Sequence, residues 1–102
     1  MRHFVVEITY TTPLARIDEI VAEHRDYLQT GYASGMLLCS GAQVPRTGGM
    51  VIARASSREA LEAFFAEDPY SRENVASYRF VEFNPVKFQP FLQPWIEAEA
   101  AS

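Results

Sequence analysis

His24 and Asp68 are the residues of this chain whose type and position point most directly to chemistry. Leu14, Ile17, Val21 and Leu28 recur at helical spacing, and the inward position between the last two is His24. Leu61, Phe64 and Phe65 form a second apolar stripe, and Asp68 stands where it would continue. Burying either polar group alone costs several kcal/mol or forces it neutral. Brought inward together they form an acid–base pair, in which the carboxylate accepts one ring N–H and sets the tautomer. The other nitrogen is then free to take or give a substrate proton. The plainer alternative is a satisfied core histidine and an aspartate that ends one helix and caps a turn at 70–74.

Lesser candidates surround this pair. Ser40 and Tyr70 could donate hydrogen bonds in a cleft, or be an ordinary strand serine and a packing tyrosine. Arg46 and Arg72 could hold a substrate carboxylate or phenolate, against the alternative of solvated loop arginines. Arg16 is expected to pair with Glu19 or Glu23, His3 to sit exposed at a strand edge, and Cys39 to be buried and inert. With 2 histidines and 1 cysteine, no metal-ligand spacing is recognisable. Neither a dinucleotide or phosphate-binding glycine loop nor a serine-nucleophile elbow appears, so no cofactor is expected.

The elements that must position these residues can be read from periodicity. Residues 3–10 alternate as a half-buried strand. Thr12 is a candidate cap and Pro13 suits the first helical position, so a helix is predicted over 14–30 with Gly31 as its stop. Residues 36–40 read as a central strand, 42–49 as a loop with Gly48-Gly49 as a hairpin pair, and 50–55 as the third strand. Ser56 and Glu59 have capping-box spacing for a helix that runs to about residue 67, which Pro69 ends. A short turn is predicted at 70–74 and a strand at 78–83, with Val86-Lys87-Phe88 as an edge extension.

The order βαββαβ is an α+β ferredoxin-like plait. Its first and third strands are expected to run parallel, sending both helices the same way. His24, two turns before its helix ends, would then meet Asp68 at one end of the helical layer, directly or through one water. The helix-free face, carrying Val5 and Thr9, is too apolar to leave wholly wet. A homodimer through that face, aided by an aromatic tail, is expected, with a solvated face as the alternative.

The chain has 102 residues, a net charge of -4, 48% hydrophobic and 22% charged residues, which fits one globular domain. An acidic balance argues against a nucleic-acid surface. The opening MRHFVVEITY is charged and then alternating, unlike a leader, and no stretch reaches the roughly 20 apolar residues of a membrane span. The lone Cys39 fits a reducing cytoplasm. Residues 1–88 are read as the domain and 89–102 as a tail, partly docked and then frayed. The apolar stretch from Phe88 through Phe91, Leu92, Trp95 and Ile96 is broken up by Pro90 and Pro94.

Arg16, the helical His24 within Glu23-His24-Arg25-Asp26-Tyr27-Leu28, Ser40-Gly41-Ala42, Gly48-Gly49 and Asp68-Pro69-Tyr70 together resemble the YciI-like family (YCII-related domain). The resemblance runs to about residue 88. It implies a dimeric ferredoxin-like protein, of the dimeric α+β barrel type, with an active His24–Asp68 pair. The family includes a dehydrochlorinase of chlorinated hydroxyquinols. Ala42 departs from the family's usual proline, and Ser71-Arg72-Glu73-Asn74-Val75 from its glycine and aliphatic residues, which leaves the substrate open. The expected function is cofactor-independent proton abstraction, with elimination or isomerisation, on a small molecule by a lyase- or isomerase-like enzyme. The alternative is a non-catalytic small-ligand-binding or dimerisation module. A cofactorless monooxygenase, by fold analogy alone, ranks last.

Overall fold

Alternation along β1 (Arg2–Tyr10) turns Phe4, Val6 and Ile8 into the core, where none is more than 2% exposed. The computed structural model describes residues 1–99. In it β1 lies between β3 (Gly48–Ala55) and β4 (Ala76–Phe83), while β2 (Leu37–Ala42) pairs along the far edge of β3. The order β2-β3-β1-β4 is that of the ferredoxin-like α+β plait. Val51, Ala53 and Ala55 of β3 join the β1 residues beneath Ile17, Ile20, Leu28, Leu61 and Phe65 of the helices, so one sheet face carries the core.

All neighbouring strands are antiparallel, β1 and β3 included, with Val6 opposite Val51. This corrects the expected parallel pairing of the first and third strands. The helices that follow those two strands therefore run in opposite directions.

The first helix is two. α1 (Leu14–Asp18) ends before α2 (Val21–Ala33) begins, with Ile17 and Ile20 both buried at the break. Leu14, expected inside, is 42% exposed at the free end of α1. Pro13 takes the N-cap place in extended conformation, so Thr12 does not cap, and its buried hydroxyl has no partner among the described residues. Gly31 does not stop α2. It lies inside the helix, where a Cβ would come within 2.8 Å of Leu37 and Phe64; Gly35, with φ +82°, makes the turn instead. Ser57, rather than Ser56, caps α3 (Arg58–Ala66) by accepting from the Ala60 N–H. α4 (Pro69–Arg72) is the short turn expected after Asp68.

Gly48 and Gly49 belong to β3, not to the preceding loop. Gly48 passes so close to β1 that a Cβ would sit 1.8 Å from the Ile8 carbonyl oxygen. A register shift between Leu37 and Cys39 sets Cys39 opposite Ile52, and the thiol is exposed rather than buried.

Beyond β4 no edge extension forms. The tail makes a 3-10 turn at Pro90–Leu92 and the short helix α5 (Gln93–Ile96). Arg54, on the helix-free face, donates to the Trp95 carbonyl at 2.9 Å and lies 3.9 Å from the Trp95 ring centroid. His3, on the same face, bonds the Ile96 carbonyl at 3.2 Å and is 6% exposed, not an open strand-edge histidine. The frayed end expected from residue 97 onward lies in part outside the described residues. Among those described, no helix is long and apolar enough to cross a membrane.

Candidate acid–base site

Opposed helix directions bring the start of α2 beside the end of α3. His24 falls in the first turn of α2, its N–H bonded to the Ile20 carbonyl, and Asp68 follows α3 as the N-cap of α4. His24 Nδ1 and Asp68 Oδ1 are 2.8 Å apart. The Asp68 side chain is fully buried and that of His24 is 11% exposed. Asp68 accepts twice more: Oδ1 from the Tyr70 N–H at 3.1 Å and Oδ2 from the Tyr78 hydroxyl at 2.6 Å. Burial, then the neighbouring Asp68 charge, push the Tyr78 phenol well above its ordinary range, which keeps it a donor.

With Asp68 accepting, Nδ1 of His24 carries the hydrogen and Nε2 is the basic nitrogen. Tyr70 holds the ring from its face: the two centroids are 3.8 Å apart and the planes 9° from parallel. Tyr10 braces Tyr70 edge-on at 5.9 Å. Burial, then Tyr10, raise the Tyr70 phenol above its ordinary range. The imidazole is thus fixed along one edge and across one face. Nε2 has no hydrogen-bond partner among the described residues, and His24 lines a cavity of about 370 Å³. That volume lies at the small end of ligand pockets and suits a substrate of one ring. Gly41, Ala42 and Gly49, which carry little or no side chain, line it where β2 meets β3.

Residues 1–84 match the YCII-related domain. The chain belongs to that family. No curated protein matches it. Among solved structures it is similar to 5-chloro-2-hydroxyhydroquinone dehydrochlorinase (TftG) from Burkholderia phenoliruptrix AC1100, in complex with 2,5-dihydroxybenzoquinone. The TM-score is 0.63 at 20% identity, over 79% of this chain and 90% of that one. At this identity the likeness speaks for the fold, the same plait that the strand order describes.

The remaining candidates are placed unevenly around the cavity. Ser40 lines the cavity and shares a 2.5 Å hydrogen bond with the Tyr32 hydroxyl. Arg46 also lines it, pairing with Asp18 at 2.7 Å; that bond raises the guanidinium further above its usual range. Arg72 is exposed on α4 and does not line the cavity. Arg16 pairs with Glu19 at 2.9 Å, as expected, and with Glu73 rather than Glu23.

Three residues that the sequence does not single out also sit at the candidate site: Tyr78 bonds Asp68, and Tyr10 and Arg25 line the cavity. Each had a local signal, since Tyr78 and Tyr10 lie on inward strand positions and Arg25 is four residues beyond Val21 on one helix face. No cluster of three or more His, Cys, Asp or Glu side chains among the described residues is placed to hold a metal ion.

Proposed function

We propose that the cavity is the active site of a cofactor-independent small-molecule enzyme, with His24 as general base and acid and Asp68 as its orienting partner. The observation that carries this reading is the buried 2.8 Å His24–Asp68 hydrogen bond on a residue that lines the cavity, with no partner for Nε2 among the described residues. Nε2 removes a proton from a substrate carbon or hydroxyl. The released electron pair moves through the substrate, either expelling a leaving group or returning to a proton at another position. The imidazolium that forms is stabilised by Asp68 and later gives its proton to the leaving group or the product. A positioned acid–base group contributes about 10²–10⁴-fold in rate.

The substrate is a small hydroxylated or aromatic ring, met by Ser40, Tyr70 and Arg46 on the cavity wall. The neighbouring structure is of an enzyme named as a dehydrochlorinase, whose elimination is the same class of step. We assign this chain to lyase- or isomerase-type chemistry. The reading includes a homodimer formed through the helix-free face, where Val81 and Phe83 are 38% and 42% exposed. It also includes a cytoplasmic setting, which suits the free, exposed Cys39.

The test is turnover across a screen of hydroxylated and halogenated one-ring compounds, with wild type beside His24→Gln. Alanine at position 24 would strand a buried carboxylate, whereas glutamine keeps an N–H for Asp68. Turnover by wild type that falls about 10²–10⁴-fold in His24→Gln supports the reading. Unchanged turnover in that variant contradicts it. Ligands that raise the melting temperature of wild type yet are never consumed would make the protein a binding module.

A further inference from the structure

We infer that the cavity selects an anionic one-ring substrate and that Arg25 is the residue that reads its charge. The inference rests on the proposed site and names its substrate class. Val21, Arg25 and Leu28 follow one another at i, i+4 and i+7 on α2, and all three line the cavity beside His24. Two arginines therefore border the same space, and they differ in how their charge is spent. Arg46 is engaged by Asp18 at 2.7 Å. Arg25 makes no salt bridge or side-chain hydrogen bond with any described residue.

Among the described residues, no aspartate or glutamate lines the cavity. Asp68 stands behind the imidazole, fully buried and occupied by its three donors. Arg25 is exposed where it borders the cavity, so a ligand entering meets one uncompensated guanidinium beside apolar walls that include Ile8, Leu28 and Val51. A planar fork of N–H donors in such surroundings fits a carboxylate or an ionised ring hydroxyl, in paired hydrogen bonds. Because the whole chain carries a net charge of -4, its long-range field disfavours anions, so selection for one has to be local. Held by Arg25, the ring is anchored one helical position from the base that acts on it.

From the sequence, Arg46 and Arg72 are the candidates for this role. The geometry moves it to Arg25.

The experiment titrates histidine-labelled protein with 4-hydroxybenzoate and with 4-hydroxybenzamide, probes of nearly equal shape that differ by one charge. The carboxylate should shift the His24 ring signals and bind roughly tenfold tighter than the amide, the scale of a charge-assisted pair. Arg25→Gln should remove that preference and Arg25→Lys should restore part of it. Arg72→Gln, which deletes the same charge away from the cavity, should leave it intact. Equal affinity for the two probes, no binding of either, survival of the preference in Arg25→Gln, or its loss in Arg72→Gln overturns the inference. The tautomer of His24 is read in the same spectra before ligand is added. An intact His24–Asp68 pair without charge preference rejects Arg25 alone, and a broken pair with the preference retained rejects the acid–base reading alone.

Discussion

The Tyr78 hydroxyl donates to Asp68 Oδ2 at 2.6 Å. A strand side chain from β4 thus holds the carboxylate whose other oxygen faces His24 on α2. The pair is supported from behind by the sheet, so Asp68 cannot rotate without breaking a bond to one element or the other.

Tyr78→Phe should therefore do more than remove a hydroxyl. It leaves Oδ2 of a fully buried carboxylate short of a donor, which costs about 1–3 kcal/mol. Urea unfolding should show a lower midpoint with an unchanged slope. A midpoint within error of wild type would mean that the bond carries no net stability.

Gly48→Ala tests the close approach of β3 to β1. Its Cβ would meet the Ile8 carbonyl oxygen at 1.8 Å, a backbone atom that can move only with the strand. The expected loss is about 3 kcal/mol or more, seen as a large fall in melting temperature or as failure to fold. Near-native stability would show that the strands can separate there freely.

The tail contact makes stability depend on acid. Burial, helped by the N-terminal and Arg54 charges and opposed by the bond to Ile96, holds His3 below its ordinary 6.5. A folded state that resists the proton is favoured while both states are neutral, above the unfolded value. It loses that advantage as pH falls from 6.5 toward the folded value, because only the unfolded chain takes up the proton there. Unfolding followed from about pH 7.5 to about pH 5 should show a shallower acid loss in His3→Gln than in wild type. Parallel profiles would contradict this role.

Much of this arrangement is legible in local signals. Period-two alternation locates β1 and β4, Gly and Pro mark the chain reversals, and polar interruptions of apolar stripes single out His24 and Asp68. Their meeting was expected from helices running the same way. They meet because the helices are opposed and α2 starts afresh near residue 20, with His24 in its first turn rather than near its end. Nothing in Glu19-Ile20 announces that break, because neither residue is a helix breaker and the gain is the burial of Ile17 and Ile20 together. Gly31 is ambiguous by type, since glycine serves equally as a stop and as a seat for a crossing side chain. Cys39 changed faces through a register shift that only the pairing with β3 reveals. Tyr78 and Arg25 matter through convergence of separate elements, which no window of sequence contains.

The central claim is that Asp68 holds His24 as the Nδ1–H tautomer with Nε2 free for chemistry. The most direct measurement is long-range ¹H–¹⁵N correlation of the His24 ring, in wild type and in Asp68→Asn, across a pH titration. The account predicts a ring locked with hydrogen on Nδ1 in wild type, and an altered tautomer balance in Asp68→Asn while the His3 signals stay in place. A His24 ring that is indifferent to Asp68→Asn, or that carries its hydrogen on Nε2 in the wild-type protein, would contradict it.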